Sequence, residues 1–348
     1  MIKTLRTGAL LTVLALAGTF GLDPYRNFQL AVIAAYLCAV AGLTILIGLS
    51  GQLSLGHAAL MACGGYGYAL AARAATEAGL TGGPRFAIGM ITAVVVAGVF
   101  GLVLGCAAAR LHGPYLAGLT LALVIALPAV TTVGGTWLGG DQGLQIPYGG
   151  VPRALAMIMV VEQWQAWVAV LCTGVVLTGL AVVRRSRLGL AMRAGRADET
   201  GARLAGVPVA RTKIIAFVLS AMACGVGGAL LCFTTSSVSP GAYSLGFSLL
   251  LVVAAVIGGL GSLGGAAIGA ALVVLLPWLI GVLVHALPVS STLEQRLAGN
   301  LSLLLFGVLL IIVTAARPAG LVGLLKLPRR RPAPAPTIAT IPTTETER

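Results

Sequence analysis

Few side chains in this sequence of 348 residues could perform chemistry. The only lysines are Lys3, Lys213 and Lys326, and none follows a loop of the form G-x-x-x-x-G-K-[ST], so no P-loop for ATP is present. The sequence contains no H-E-x-x-H motif, and its nine acidic residues lie outside the long apolar segments. Because paired carboxylates and a Ser-His-Asp set are missing from those segments, we predict a protein that is not an enzyme.

One histidine, His57, is the only ionisable candidate within the predicted membrane segments. It follows Gln52 and Ser54 in a glycine-rich stretch, where it could hydrogen-bond a substrate or a gate. The alternative is a buried histidine that satisfies backbone carbonyls released by the neighbouring glycines. Coupling to sodium through such carbonyls stays open at this point.

The densest cluster of charge is the basic loop, defined as residues 184–213, which lies between two apolar segments. It contains Asp198 and Glu199 together with eight basic residues: Arg184, Arg185, Arg187, Arg193, Arg196, Arg203, Arg211 and Lys213. Short loops rich in Lys and Arg stay on the cytoplasmic side of a membrane. The loop therefore predicts the orientation of the segments around it.

The composition predicts an integral membrane protein. Hydrophobic residues make up 58% and charged residues 9% of the chain, and the mean hydropathy is +1.03. The 48 glycines favour closely packed helices over a β-barrel, so the fold class is all-α. The net charge of +13 lies in short loops and the tail, which favours topology and lipid headgroups over nucleic acid as its explanation. The six cysteines show no metal-binding spacing, and we expect packed free thiols.

Apolar runs predict about ten transmembrane helices, with eight to ten plausible. The candidate spans are residues 8–22, 28–48, 54–74, 86–109, 115–134, 166–183, 214–233, 244–258, 264–285 and 300–316. With both termini cytoplasmic, seventeen of the twenty-two Lys and Arg residues fall inside. Those left outside are Arg26, Arg73, Arg85, Arg153 and Arg296. The first span also resembles a signal peptide, but the many later spans favour an uncleaved helix.

Two glycine-rich patches, residues 48–67 and 258–269, adjoin the third and eighth spans. They predict interrupted or re-entrant segments, because irregular backbone at membrane depth is tolerated inside protein. Both contain Ser-Leu-Gly, at residues 54–56 and 262–264. Matching interruptions in two halves are typical of internally repeated transporters, whereas coincidence in a glycine-rich chain is the alternative.

Two polar regions complete the organisation. The predicted external connection, residues 135–165, contains Trp137 and Asp141 and is either a partly structured lid or a plain connector. The chain after residue 327 begins R-R-R-P-A-P-A-P-T and predicts a disordered cytoplasmic tail at residues 328–348. Residues 1–327 are then one transmembrane domain.

Four motifs in order resemble the permeases of branched-chain amino acid ABC importers of the LivM type. They are G-L-S-G-Q-L-S-L-G-H-A-A-L at residues 48–60, the loop at 185–221 containing D-E-T-G-A-R-L-A-G, G-G-L-G-S-L-G-G-A-A-I-G-A at 258–270 and A-R-P-A-G-L-V-G-L at 316–324. The resemblance covers most of the chain from about residue 28 to residue 325. It implies a non-catalytic permease subunit, multi-pass in a bacterial or archaeal plasma membrane.

The resemblance further implies that residues 198–206 form part of a short coupling helix that docks on a cytoplasmic ATPase. The implied coupling residues are Asp198, Glu199, Gly201, Ala202 and Gly206. Glu199 and Gly206 stand at the family's Glu and Gly positions. Gly201 replaces a small helix former, at a cost to that helix of up to about 1 kcal/mol.

The implied partners are two ATPase subunits, which would bind the ATP and Mg, a second homologous permease of the LivH type and an external substrate-binding protein. No cofactor is expected in this chain. The residues expected to line or gate the pathway are Gln52, Ser54, Gly56, His57, Gly261, Ser262 and Gly264, with tight helix packing as the alternative for each glycine. A related permease for urea or short-chain amides is the second possibility. A self-sufficient channel or ion-coupled carrier is the third.

Overall fold

The computed structural model describes residues 2–111, 113–147, 149–152, 155, 157–285, 304–313, 315 and 320–322. The α-helices within these residues are α1 (Ile2–Gly18), α2 (Pro24–Ser50), α3 (His57–Glu77), α4 (Gly83–Arg110), α5 (Pro114–Val133), α6 (Gly135–Leu138), α7 (Val161–Arg185), α8 (Arg187–Ala197), α9 (Glu199–Leu204), α10 (Val209–Thr235), α11 (Leu245–Gly258), α12 (Leu263–His285) and α13 (Leu304–Val313). Short strands β1 (Leu144–Gln145) and β2 (Ser237–Val238) pair antiparallel. The predicted tail at 328–348 lies outside the described residues.

Every predicted span contains a helix, although the tenth span falls only partly within the described residues. Within the described residues, six helices are long and apolar enough to cross a membrane, namely α2, α4, α5, α7, α10 and α12. Helices α1, α11 and α13 are apolar but shorter. The chain is thus an all-α membrane protein, while the number of crossings and the side of each terminus stay predictions.

Both glycine-rich patches contain non-helical residues, but these interruptions lie between helices and do not break the third or eighth span, each of which contains one continuous helix. Helix α2 ends where Gly51 adopts a left-handed backbone with φ +71°, a conformation that glycine takes without steric cost. Helix α3 begins at His57, so residues 54–56 are non-helical and do not form the first helical turn that the hydropathy pattern predicts. A second break, residues 259–262, separates α11 from α12.

Helix α10 lies at the centre of the bundle and packs against α2, α3 and α4. Glycines allow this close approach. A side chain at Gly64 of α3 would collide with the backbone of Gly225, and one at Gly228 would collide with the carbonyl oxygen of Met61. Backbone contacts of this kind are the usual means by which helices in membranes pack tightly. They bring the start of α3 beside the middle of α10.

The connection between α5 and α7 is partly structured. It contains the short helix α6 and strand β1, whose Leu144 pairs with Val238 beyond the end of α10. The side chain of Thr132 at the end of α5 donates a hydrogen bond to Asp141 Oδ1 over 2.8 Å. These contacts agree with a partly structured segment, and its role as a lid stays a prediction.

All six cysteines are free thiols, as predicted. Cys38, Cys224 and Cys232 are buried, in agreement with the expected packing. The prediction is wrong for Cys106, which is exposed. It lies on the outward face of α4 with Val99 and Val103, a face that a membrane protein turns to lipid, so hydropathy alone did not reveal its exposure.

Candidate functional site

The interruption between α2 and α3 is held by His57, which has no exposed surface. Its Nδ1 lies 3.1 Å from Ser54 Oγ, and its Nε2 lies 2.8 Å from Ser220 Oγ on α10. A neutral imidazole has one donor and one acceptor nitrogen, so a single ring can bond both hydroxyls. His57 is therefore a buried, bonded histidine, but its ring contacts serine hydroxyls and not the backbone carbonyls that the sequence suggested.

The carbonyls near His57 find other partners. Ser248 on α11 donates from its Oγ to the Leu55 carbonyl oxygen, and Leu55 N donates to Thr120 Oγ1 on α5 over 3.0 Å. A Cβ at Gly56 would lie 2.8 Å from the Thr120 carbonyl oxygen, so glycine is needed there for close packing. Residues 51–56 thus join α5, α10 and α11.

Gln52 connects this interruption to the start of α10. Its Nε2 donates to Ser50 Oγ and, over 3.3 Å, to the backbone carbonyl of Lys213. The residue is 5% exposed, and its Oε1 has no hydrogen-bond partner in the part of the chain that the structure describes. A buried acceptor without a partner carries a desolvation cost, so this contact is incompletely satisfied.

The second interruption contacts the first directly. Gly261 N donates to the Thr44 carbonyl oxygen of α2 over 3.2 Å, and a Cβ at Gly48 would collide with the Gly261 backbone. Ser262 Oγ accepts from Gly265 N at 3.3 Å and so caps the start of α12. Although more than two hundred residues separate the two glycine-rich patches in the sequence, their backbones touch.

The segment that contains Gly320 and Leu321 also contacts the second interruption. Leu321 N donates to the Ile257 carbonyl oxygen over 2.8 Å, and a side chain at Gly320 would lie 2.5 Å from Gly259 Cα. The motif at residues 316–324 therefore packs on the motif at 258–270, although of the former only residues 320–322 are described.

The predicted pathway residues occupy different environments. Gln52, Ser54, Gly56 and His57 are buried in helix contacts in this conformation, and Gly261 lies against α2. Ser262 is half-buried, whereas Gly264 is exposed and a Cβ there would meet no atom within 4 Å. Their role in translocation stays a prediction, and opening a route past His57 would require the bundle to rearrange.

Helix α9 carries the residues that the sequence assigned to coupling. Asp198 caps its start, since its Oδ1 accepts from Thr200 N at 3.0 Å, and Ala202 is buried. A Cβ at Gly201 would lie 2.6 Å from Asp198 Oδ2. Glycine therefore leaves room for the capping carboxylate, which offsets the propensity cost expected at this position.

Gly206 ends this unit with φ +81°. Its N–H donates to the Arg203 carbonyl oxygen over 2.9 Å, and Val207 N donates to the Ala202 carbonyl oxygen over 2.9 Å. This pair of bonds is a Schellman motif, in which a left-handed glycine satisfies the last helical carbonyls. The six-residue helix is therefore defined at both ends by its own sequence.

Glu199 is ion-paired within the chain. Lys213 Nζ lies 3.0 Å from its Oε1 and 2.9 Å from its Oε2, and Arg203 Nη2 lies 2.7 Å from Oε1. The Lys213 side chain is 12% exposed and that of Glu199 26%. The acid that the resemblance placed at a docking surface thus also connects α9 to the N-terminal part of α10.

Several contributors were not singled out from the sequence. Thr120, Ser220 and Ser248 carry no local signal, because single hydroxyl residues in apolar helices are common and their partners are distant in the chain. Lys213 had one available signal: it is the only lysine between residues 3 and 326.

Replacing His57 with leucine is expected to destabilise the protein by about 2–4 kcal/mol, because two buried serine hydroxyls each lose a hydrogen bond to the ring. Thermal unfolding in detergent measures this change. Ser220→Ala should cost less, since it removes one of the two bonds. The double variant should cost less than the sum of the single changes. Strict additivity would contradict the bond between His57 and Ser220.

The sequence matches known proteins over most of its length. The family model described as the permease component of the branched-chain amino acid transport system matches residues 27–314. The chain is 26% identical over 355 aligned positions to the high-affinity branched-chain amino acid transport permease LivM of Escherichia coli K12, covering 92% of this chain and 74% of the relative. The LivM protein of Salmonella typhimurium is 27% identical over 330 positions, covering 85% and 68%.

A shorter similarity is to the L-arabinose transport system permease AraH of Escherichia coli K12. It is 38% identical over 99 residues, which cover 28% of this chain and 29% of the relative.

Proposed function

The chain belongs to the family of branched-chain amino acid transport system permeases, and from this premise we propose that it is the membrane-spanning permease subunit of an ATP-driven importer. Its substrates are branched-chain or other hydrophobic amino acids. The subunit performs no chemistry of its own, because ATP and Mg are bound and turned over by a partner ATPase. Its part is to change the access of a pathway from one side of the membrane to the other.

The observation that carries this proposal is the meeting of four motif segments at one end of the bundle. Gly48 of the first motif touches Gly261 of the third, and Gly320 of the fourth packs on Gly259. The second motif, in the basic loop, reaches the first through Arg196, which donates to the Gly48 carbonyl oxygen. A push on the basic loop therefore acts on a contiguous set of packed elements.

The scarcity of ionisable side chains in the apolar segments supports an external drive. His57, the first residue of α3, is the ionisable candidate in the predicted membrane segments, and its ring is bonded by two serines. Proton-coupled carriers place ionisable groups where protons and water reach them. An ATPase that moves α9 supplies the energy in another way, as a rigid-body displacement.

The proposed assembly contains two ATPase subunits, a second homologous permease of the LivH type and an external substrate-binding protein. The chain itself lies in the plasma membrane of a bacterium or archaeon with about ten spans, both termini and the basic loop on the cytoplasmic side, and residues 328–348 as a tail. The pathway runs between the two permeases, and it is lined or gated by Gln52, Ser54, Gly56, His57, Gly261, Ser262 and Gly264.

Reconstitution in vesicles tests the proposal. The full set of subunits should accumulate labelled leucine only when ATP is supplied on the ATPase side and the binding protein on the other. Unlabelled isoleucine and valine should compete, whereas urea, short-chain amides and L-arabinose should not. Competition by urea or amides alone would transfer the assignment to that substrate class. Flux by this chain alone without ATP would instead identify a channel or an ion-coupled carrier.

A further inference from the structure

The C-terminal end of α2 is secured from the basic loop. The last four carbonyls of a helix have no partner inside it. At α2, Gly51 N donates to the Ile47 carbonyl oxygen over 3.1 Å. The Gly48 carbonyl oxygen instead accepts a hydrogen bond from Arg196 Nη1. A cation at this position also interacts favourably with the negative end of the helix dipole.

The stem of the same arginine packs on the turn that ends α2. A Cβ at Gly51 would lie 2.9 Å from Arg196 Cγ, so the left-handed glycine leaves room for the methylene groups. Arg196 itself lies in the last turn of α8, two residues before the Asp198 that caps α9. One side chain therefore connects the coupling unit with the end of a membrane helix by both a charged bond and packing.

The same helix end also contacts the second interruption. Gly48 packs against the Gly261 backbone, and Gly261 N bonds the Thr44 carbonyl oxygen one turn earlier on α2. Because the contact is made by backbone atoms without intervening side chains, a shift of α2 cannot be absorbed by a change of rotamer. The turn between α11 and α12 must move with it, or the contact must break.

A second connection runs parallel to the first. Glu199 on α9 bonds Lys213, and the Lys213 carbonyl accepts from Gln52 just beyond the end of α2. This route acts through the N-terminal part of α10, whereas Arg196 contacts α2 directly. If the basic loop moved away from α2, the Gly48 carbonyl would lose the hydrogen bond that Arg196 donates.

We infer that Arg196 is a positioning residue that transmits displacement of α8 and α9 to the end of α2 and, through the contact of Gly48 with Gly261, to the turn between α11 and α12. The inference rests on the proposed function, because it requires a partner ATPase that moves the basic loop. It assigns transmission to an arginine outside residues 198–206.

The test uses the full reconstituted complex and measures both leucine uptake and ATP hydrolysis. Arg196→Ala should lower the amount of leucine taken up per ATP hydrolysed about tenfold while hydrolysis continues. Arg196→Lys should recover part of the ratio, since lysine keeps the charge and a donor but loses the planar guanidinium. Arg187→Ala is the matched control: it removes the same charge from the first residue of α8 and should leave the ratio unchanged.

The possible outcomes are distinct. An unchanged ratio in Arg196→Ala overturns the inference. So does a proportional fall of uptake and hydrolysis in a variant that melts at the wild-type temperature, because it would make Arg196 an ATPase docking residue. If Arg196→Ala fails to assemble, the ratio in Arg196→Lys and Arg196→Gln decides, with the larger fall expected for glutamine. Absence of ATP-dependent uptake in the wild-type complex overturns the proposed function itself.

Discussion

Reversing the charge of Glu199 to arginine should reduce uptake at least about 100-fold. The variant would replace two attractive contacts with repulsion, because Lys213 Nζ lies 2.9 Å and Arg203 Nη2 lies 2.7 Å from the present carboxylate. Helix α9 would then lose its ion pair with α10, and the connection to the bundle through Lys213 and Gln52 would be broken. Uptake of labelled leucine by the reconstituted complex measures the effect, with insertion checked by detergent extraction and size-exclusion chromatography.

A double variant that exchanges the charges of Glu199 and Lys213 distinguishes an ion pair within the chain from a contact with the ATPase. Combining Glu199→Arg with Lys213→Glu keeps opposite charges facing each other and should restore a substantial part of the uptake. If the carboxylate acted only by touching the ATPase, the exchanged pair would remain as inactive as the single variant. Glu199→Gln, which keeps the shape and loses the charge, should fall between the wild type and Glu199→Arg. Full uptake in Glu199→Arg would refute both roles.

Replacing Gly206 with proline is expected to have a similar effect for a different reason. Proline holds φ near −65°, whereas Gly206 has φ +81°, and proline lacks the N–H that bonds the Arg203 carbonyl. Losing the left-handed backbone and this hydrogen bond removes the C-terminal cap of a helix of only six residues, at a cost of about 1–3 kcal/mol. Helix α9 should therefore lose its last turn, and uptake should fall about 100-fold while the protein still inserts.

Milder substitutions at Gly206 isolate the backbone effect. A Cβ there would meet no atom within 4 Å, so a steric clash does not contribute. Asparagine, which adopts left-handed backbone readily, should retain most of the uptake, whereas alanine should lose more because that conformation costs it about 1–2 kcal/mol. Gly195→Ala is the control in α8, where an added Cβ would make only ordinary contact with Val209. Equal activity of the asparagine, alanine and proline variants would exclude a requirement for left-handed backbone.

Local sequence was sufficient for much of the fold. A helix lies at every span that the apolar runs predicted, as far as the described residues extend. Such runs are recognisable because the burial of about twenty apolar residues in lipid depends on their own composition and not on distant neighbours. The ends of helix α9 were also locally encoded. Asp198 supplies a cap, and Gly206 supplies the left-handed end, both through bonds to residues within five positions in the chain.

The contacts within the candidate site were harder to predict from the sequence. Gln52, Ser54 and His57 were identified as polar residues in an apolar context, but their partners on α5, α10 and α11 were not. Similarly, the pairing of Glu199 with Lys213 across fourteen positions depends on the angle at which α9 meets α10. Nothing in the spacing of the two residues specifies that angle.

By itself, the sequence determined the membrane class, the positions of the apolar helices, the two breaks and the family motifs, since these depend on hydropathy, glycine and capping over a few residues. Only the tertiary structure decided that Gly48 meets Gly261 and that Arg196 holds the end of α2. Contacts between residues so far apart in the chain require the helices to be packed against one another. That packing is set jointly by many small residues on several helices, and no single segment encodes it.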